Sequence, residues 1–167
     1  YGATRQVGVD AAQHDWVFWI DADERMSAEL VSEITESLST AESHYVFTMP
    51  RKNYFLGQHI RGCGWSPDRV TRLFHRAHSR FDEKIVHEGL LGNKQRKVVP
   101  LKNPLEHFSY RDMKQFFEKN FRYALLAADE RKRLQRKVSA VSLVLRPCWE
   151  FFNAFFLKRG FIDGLRG

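Results

Sequence analysis

Short apolar runs alternate with amphipathic segments along much of the chain, a pattern typical of an α/β protein. Residues 15–20 form a run rich in aromatic and β-branched side chains, which predicts a buried strand. The acidic residues of 21–24 follow this run directly, so we expect them at the carboxyl end of the strand, where open α/β sheets place ligands. Ser27 then opens a predicted helix, whose apolar side carries Leu30, Ile34 and Leu38.

The remaining elements are predicted from the same periodicities and from the positions of proline and glycine. They are a strand at 45–49 that Pro50 ends, a loop-like stretch at 51–69, a strand at 70–74 and a long helix at 111–137. Beyond them the chain changes character, because 138–145 is apolar, Pro147 is expected to break it, and phenylalanines follow. We therefore predict a boundary near 135, between a core domain at 1–134 and an appendage at 135–167.

The composition fits one folded domain with an uneven distribution of charge. Of the 167 residues, 43% are hydrophobic, and the two cysteines lack the spacing of a zinc site or a disulfide framework. Residues 111–167 hold 13 basic and 6 acidic side chains and thus the whole net charge of +7. A basic surface there suits nucleic acid, anionic lipid or a phosphorylated acceptor. Because no run of 18 or more apolar residues occurs, we expect no helix that spans a bilayer.

Asp21 and Asp23 stand one residue apart, and paired carboxylates at the end of a buried strand are unfavourable unless a positive charge neutralises them. A divalent cation does so, since hard ions such as Mg²⁺ take oxygen ligands and keep positions open for substrate phosphates. The alternative is that the acidic residues of 21–24 simply cap the following helix. Spacing alone leaves both interpretations open.

Several motifs, in order along the chain, resemble family-2 glycosyltransferases, especially the branch that includes lipopolysaccharide-core β-1,4-glucosyltransferases. The segment DWVFWIDADE at 15–24 is similar to the acidic segment of that family. The further matches are RKNYFLG at 51–57, GWSPD at 64–68, RLF at 72–74, VHE at 86–88, LEHFSY at 105–110 and GFIDG at 160–164. Such an ordered set is far more specific than any one of its motifs.

The resemblance implies a partial GT-A fold, a Rossmann-like mixed sheet that is mostly parallel and flanked by helices. It implies an inverting hexosyltransferase whose catalytic domain is 1–134. The expected cofactors are a divalent cation, Mg²⁺ or Mn²⁺, and a nucleotide-sugar donor, with a UDP-sugar expected. The expected acceptor is a lipid-linked or lipopolysaccharide-core saccharide, or another envelope glycan. The family's opening nucleotide-binding strand has no counterpart in this sequence, so we expect the chain to be a fragment.

The resemblance also assigns roles to individual residues. Asp23 and Asp21 would bind the cation, and His107 would be a further ligand to the metal or the diphosphate. Glu88 would be the general base that takes the proton from the acceptor hydroxyl. The residues assigned to substrate binding are Glu24, Arg51, Asn53, Gly64, Trp65, Asp68, Arg72 and His87.

Each of these roles has a structural alternative. His107 follows a short apolar stretch, where a histidine is often a satisfied core group. Glu88 is alternatively a surface glutamate beside a structural histidine. Trp65 either offers a flat face to a sugar ring or is a core tryptophan behind an ordinary glycine turn. Arg72 is either a phosphate ligand or a surface arginine.

The appendage combines basic residues with an aromatic face, which suits a helix lying in a membrane interface. Together with this helix, the resemblance implies a peripheral protein at the cytoplasmic face of the bacterial inner membrane. The alternatives are a helical subdomain that packs its phenylalanines on the core, a non-catalytic membrane-surface module, and a nucleic-acid-binding basic module. Because no nucleic-acid-binding motif occurs, nucleic acid is not expected as a partner.

Overall fold

A computed structural model describes residues 2–81, 90–92, 96–135 and 139–166, to which all structural statements refer. The helices are α1 (Gly2–Asp10), α2 (Ala28–Leu38), α3 (Met113–Arg133) and α4 (Ala140–Phe152), followed by a π-helix (Asn153–Leu157) and a 3₁₀ segment (Gly160–Arg166). The strands are β1 (Trp16–Phe18), β2 (Glu24–Met26), β3 (Tyr45–Phe55), β4 (Gln58–His59), β5 (Arg69–His75), β6 (Ser79–Phe81), β7 (Leu90–Gly92), β8 (Lys97–Pro100) and β9 (Leu105–Tyr110).

The main sheet is mixed, in the order β1-β5-β3-β9-β2, and β4 and β8 also pair with β3. The predicted α/β class with a mixed sheet is confirmed, and the arrangement is consistent with a partial Rossmann-like fold. The expectation of a mostly parallel sheet is wrong for the described pairings. β5 runs antiparallel to both β1 and β3, β4 runs antiparallel to β3, and β8 runs parallel to β3. The two-residue connection between β3 and β4 explains their pairing, because only antiparallel strands can be joined by a tight turn.

The predicted helix after Ser27 is confirmed and supplies part of the core. The backbone N–H of Leu30 donates to Oγ of Ser27 (3.2 Å), which caps the first turn. Leu30 is fully buried in a cluster that also contains Phe47, Met49, Leu73, Leu101 and Leu105. Full burial of such a leucine stabilises the fold by about 1.5–3 kcal/mol.

Two predictions based on proline are wrong. β3 continues through Pro50 to Phe55, so its second half occupies residues predicted as loop. Proline lacks only its own N–H, and the next residue restores the ladder, since the N–H of Arg51 donates to the backbone oxygen of Asp68 (2.9 Å). Likewise α4 continues through Pro147, where the exposed helix lets water bond the carbonyl that proline leaves unpaired.

The chain divides into two compact units, one made of 1–51 with 68–106 and the other of 52–67 with 107–167. The division passes through β3 and β9, whereas the functional boundary near 135 stays a prediction. In the second unit the predicted long helix is confirmed as α3. Neither α3 nor α4 contains a buried residue.

One segment is long and apolar enough, by length and composition, to cross a membrane. It comprises the 18 residues Ala140–Leu157, with a mean hydropathy of 1.2, and none of it is buried. The expectation that no segment would meet this criterion is wrong, because it required an uninterrupted apolar run. A few polar and charged residues interrupt α4 without lowering its mean hydropathy below that of a candidate span.

Candidate functional site

A tight turn carries the acidic residues between β1 and β2. The backbone N–H of Glu24 donates to the backbone oxygen of Asp21 (3.0 Å), and the N–H of Asp21 donates to Oε2 of Glu24 (3.0 Å). These two bonds close the turn, so Ala22 and Asp23 lie at its tip. The acidic residues therefore follow the end of β1, as the sequence predicted.

Arg72 joins two carboxylates of this turn. Its Nη2 lies 2.8 Å from Oδ2 of Asp21 and also bonds Oε1 of Glu24. Arg5 approaches the other oxygen of Asp21, at 3.6 Å. The side chain of Glu24 has 0% of its surface exposed, so its charge requires such a partner. A direct contact between Glu24 and a sugar would need this network to open.

Arg51 extends the network to Asp68. Its Nη1 lies 3.5 Å from Oε1 of Glu24, and its Nε lies 2.7 Å from Oδ2 of Asp68. Both residues were predicted to bind substrate, and the structure engages both in one ion pair. Their contacts with a substrate stay predictions.

The arginines change the electrostatic argument for a metal ion. From the sequence, a cation was inferred because paired carboxylates at the end of a buried strand need a positive charge to neutralise them. In the folded chain β5 brings Arg72 to this place, since the backbone N–H of Trp19 donates to the backbone oxygen of Arg72 (2.7 Å). Charge neutralisation of Asp21 alone therefore no longer argues for a metal.

The donor set still fits one kind of metal site. Among the described residues, no three or more His, Cys, Asp or Glu side chains are grouped so that they could hold a metal ion by themselves. Mg²⁺, however, is usually bound by one or two carboxylates, with water and substrate phosphates as its other ligands. Asp21 and Asp23 on one turn match that small donor set, so the turn suits an ion that binds together with a diphosphate.

Two buried donors lack an acceptor among the described residues, namely Nε of Arg72 and Nε1 of Trp19. The two residues are neighbours across β1 and β5. Buried donors without partners are rare, and an oxygen of a phosphate or of a water would satisfy them. A phosphate contact of Arg72 through Nε would need this buried atom to become accessible, because it has almost no exposed surface and Nη2 is engaged with the carboxylates.

A second polar cluster surrounds His107. Nδ2 of the buried Asn53 donates to the backbone oxygen of Trp65 (3.0 Å), so Oδ1 of Asn53 faces Nδ1 of His107 at 2.6 Å. Because an amide oxygen only accepts, Nδ1 of His107 carries the proton. Oγ of Ser109 lies 3.1 Å from the same nitrogen. Nε2 is therefore the ring nitrogen that would bind a metal ion, since a metal-binding histidine commonly donates its other N–H to such an oxygen.

Loop 61–65 is held by the carboxyl-terminal segment. Asp163, which is 6% exposed, accepts from the N–H groups of Arg61 (2.9 Å) and Gly62 (2.6 Å). A Cβ at Gly62 would lie 2.4 Å from the backbone oxygen of Arg159. The close approach that this glycine permits is thus used by the chain itself and not by a ligand.

Gly64 and Trp65 lie at the end of this loop. Gly64 has a φ of 77°, which favours glycine. Trp65 is half-buried, and its ring meets Phe55 edge-on at 6.2 Å, so part of the ring stays accessible to a sugar. Burial, together with the nearby Asp163, raises the pKa of the Cys63 thiol, which makes Cys63 a poor nucleophile.

The predicted site residues therefore fall into separate groups. The first unit contains Asp21, Asp23, Glu24, Arg51, Asp68 and Arg72. Ion pairs join Asp21, Glu24, Arg51, Asp68 and Arg72 into one network. The second unit contains Asn53, Gly64, Trp65 and His107. His87 and Glu88 lie outside the described residues, so their roles stay predictions.

Sequence reasoning missed Arg5 and Asp163. Arg5 reaches Asp21 from α1. From the sequence, Arg5 was noted only as part of the Arg5-Gln6 pair, which stands where relatives often have Arg-Asn, and no contact with Asp21 was assigned to it. Asp163 lies within the GFIDG match, where an aspartate beside turn residues is a known acceptor of backbone N–H bonds. This position in the sequence indicated that Asp163 would accept backbone N–H bonds, but it did not indicate that the donors would lie in loop 61–65.

No family model matches the chain. Curated proteins, however, match it over nearly its whole length. A protein of Rickettsia bellii named "Uncharacterized glycosyltransferase" is 27% identical over 173 residues, which cover 93% of this chain and 56% of the relative. A glycosyltransferase of the same description from Rickettsia conorii is 27% identical over 172 residues, with 92% and 58% covered. The "Lipopolysaccharide core biosynthesis glycosyltransferase LpsC" of Rhizobium meliloti is 26% identical over 185 residues, with 100% and 64% covered.

The chain spans between half and two thirds of the length of these relatives. All three are named glycosyltransferases, which confirms the resemblance inferred from the motifs. The chain is thus similar, over nearly all of its residues, to curated proteins that are named glycosyltransferases.

Proposed function

We propose that the complete protein is a glycosyltransferase that moves a sugar from a nucleotide-diphosphate sugar to a saccharide acceptor. The observation that carries this proposal is the similarity to named glycosyltransferases over 92% or more of the chain. The mixed α/β sheet supports it, because it is consistent with a partial Rossmann-like glycosyltransferase fold. The acidic turn after β1 supports it as well, since such sheets bind ligands at the carboxyl ends of strands.

The donor's diphosphate is proposed to lie at the acidic turn, with a UDP-sugar as the first donor to test. Asp21 and Asp23 would hold a divalent ion, which neutralises the charge that grows on the leaving diphosphate. Arg72 and Arg5 orient the carboxylate of Asp21 through their ion pairs. Nε1 of Trp19 and Nε of Arg72 are buried donors that a phosphate oxygen would satisfy.

The transfer is proposed to invert the configuration at the anomeric carbon. The acceptor hydroxyl oxygen attacks that carbon and forms the new bond, while the bond to the diphosphate oxygen breaks and its electron pair leaves with the diphosphate. The hydroxyl proton passes to a carboxylate base, for which Glu88 is the candidate given by the family motif. His107 stays a ligand to a metal ion or to the diphosphate only as the family motif predicts it, and within its own unit its Nδ1 bonds Oδ1 of Asn53.

The proposed acceptor is a saccharide of the lipopolysaccharide core or of another envelope glycan, and the proposed sugar is a hexose. The name of the relative from Rhizobium meliloti supports the core as the first acceptor to test. The half-buried ring of Trp65 offers a flat surface against which an acceptor sugar would stack.

A transfer assay with the complete protein tests this proposal. Release of nucleoside diphosphate is measured with a set of nucleotide hexoses, with and without a core oligosaccharide, before and after removal of divalent ions by a chelator. We expect one donor to support release that the acceptor stimulates and the chelator abolishes. A folded protein that transfers sugar from none of these donors would contradict the proposal.

A further inference from the structure

The segment Ala140–Leu157 carries large apolar side chains, and none of them is buried. No residue of α4 is buried, although α4 carries large apolar groups from Val141 to Phe152. Trp149 and Phe152 stack at 6.0 Å between ring centroids, and Phe152 meets Phe156 at 5.1 Å. A contiguous exposed surface of this kind indicates a binding surface.

Polar residues follow one side of this helix. Ser142, Arg146, Glu150 and Asn153 succeed one another at steps of four, four and three residues, so they lie in one row along the axis. The opposite side carries Val141, Val144, Cys148 and Phe151, and Leu145 and Phe152 lie at its edge. Leu143 and Trp149 are exceptions, because each lies next to the polar row. The helix is therefore amphipathic.

The charge around the segment favours an anionic partner. The last turn of α3 carries Arg131, Lys132 and Arg133, and Lys158 and Arg159 follow the segment directly. Residues 111–167 hold 13 basic side chains against 6 acidic ones. An aromatic and aliphatic face flanked by cations is the pattern of helices that bind anionic lipid surfaces.

The position of the polar row indicates whether the helix crosses the bilayer or lies in its surface. In a helix that spans the bilayer, Arg146 and Glu150 would lie near the centre, where a charged side chain is unfavourable. In a helix parallel to the surface, the same row faces water and the headgroups, while the apolar side enters the acyl chains. The amphipathic arrangement therefore favours the parallel orientation, although the segment is long enough to span.

We propose that Ala140–Leu157 is a docking helix that lies in the plane of an anionic lipid surface, with the side of Leu145 and Phe152 in the acyl chains. The occupant of the exposed apolar face is thus a membrane. This inference goes beyond glycosyl transfer and needs neither donor nor acceptor, so its failure and that of the proposed function are distinguishable.

Two leucines of α4 provide a matched test, because they are almost equally exposed, Leu145 at 61% and Leu143 at 65%. Leu145 lies on the apolar side and Leu143 beside the polar row. Binding of the complete protein to vesicles of phosphatidylcholine and phosphatidylglycerol in equal amounts is measured for Leu145→Gln and Leu143→Gln. We expect the first to weaken binding about tenfold and the second by less than about twofold. Vesicles of phosphatidylcholine alone should bind more weakly, and added salt should reduce binding to the anionic vesicles.

The depth of Trp149 tests the orientation, because this residue lies at the middle of the segment. Its fluorescence is isolated by subtracting that of Trp149→Phe and is quenched with lipids labelled either near the headgroup or near the chain end. A helix in the plane predicts stronger quenching by the shallow label, whereas a spanning helix would place Trp149 at the bilayer centre and favour the deep one.

Four results would overturn the proposal. The first is equal vesicle binding by both leucine variants and the wild type, and the second is stronger quenching by the deep label. The third is a change in the oligomeric state of the Leu145→Gln variant without a change in its vesicle binding, since the apolar face of α4 would then be a subunit interface. The fourth is vesicle binding weaker than the binding of generic RNA at the same ionic strength.

Discussion

Helices α2 and α4 have similar patterns but different surroundings. Each follows a serine and carries apolar residues at helical spacing. In α2, Ser27 caps the first turn and Leu30 is fully buried in the core. In α4, Ser139 makes no side-chain cap and no residue is buried. Periodicity therefore identifies the apolar face of a helix, but it does not identify what packs against that face.

The two units also differ in whether their charged side chains are buried or exposed. In the first unit the carboxylate of Glu24 is enclosed and paired with arginines, so charge is part of the interior. In the second unit α3 and α4 carry their charges at the surface. The following variants test this contrast, beginning with the largest expected effect.

Replacing Arg72 should have the largest effect. Arg72→Met leaves the buried Glu24 without its main partner, and we expect a loss of about 3–5 kcal/mol in the free energy of unfolding, measured with urea on the complete protein. Arg76→Met is the control, since Arg76 pairs with the exposed Asp15 and should lose about 1 kcal/mol. The double change Arg72→Met with Glu24→Leu should recover much of the loss. No recovery would mean that Arg72 acts by packing alone.

Next in size is the difference between leucines of α2 and α4. Leu30→Ala creates a cavity in the core and should lower the free energy of unfolding by about 3 kcal/mol. Leu145→Ala removes an exposed side chain and should change it by less than about 0.5 kcal/mol. Equal losses in urea unfolding would contradict the contrast and would mean that α4 is covered within the complete protein.

Asp163 is a buried charged residue in the second unit, which otherwise carries its helix charges at the surface. Asp163→Asn weakens the bonds to the N–H groups of Arg61 and Gly62, so we expect a loss of about 2 kcal/mol. Asp129→Asn, on the exposed surface of α3, should have no measurable effect. Hydrogen exchange of the amides of loop 61–65 is the direct measurement, and unchanged protection in Asp163→Asn would refute this anchor.

The smallest expected effect concerns the serines before the two helices. Ser27→Ala should lower the free energy of unfolding by about 1 kcal/mol, because Oγ accepts from the N–H of Leu30. Ser139→Ala should change it by less than about 0.3 kcal/mol, since Ser139 makes no such bond. Thermal unfolding of both variants would measure the difference, and a reversed order would show that the caps are assigned wrongly.

Local signals in the sequence were sufficient for elements that depend on local chemistry. The cap at Ser27, the strand at 70–74, the helix within 111–137 and the position of the acidic turn after β1 were all predictable from residue type and spacing. Proline was misleading at Pro50 and Pro147. Beside Pro50 the N–H of Arg51 continues the ladder, and the exposed helix α4 runs through Pro147 despite the missing donor.

The parts that could not be predicted depend on pairing across long stretches of the chain. Arg72 reaches Asp21 only because β5 lies beside β1, and Arg5 reaches it from α1. The sequence showed two carboxylates without a visible counter-charge, and a cation was inferred to supply it. Asn53 stays predicted to bind substrate, and its amide also bonds His107 and the backbone oxygen of Trp65. Strand register determines both results, and no local motif encodes it.

The central claim is that the acidic turn binds the nucleotide-sugar donor together with a divalent ion. It is tested by calorimetric titration of the complete protein with the donor, with and without Mn²⁺, for Asp23→Asn and for Asp15→Asn. Asp15 precedes β1 and Asp23 follows it, so the two aspartates lie beyond opposite ends of one strand. The account predicts that Asp15→Asn binds like the wild type and that Asp23→Asn loses most of its Mn²⁺-dependent affinity. Unchanged, Mn²⁺-dependent binding by a folded Asp23→Asn would contradict it.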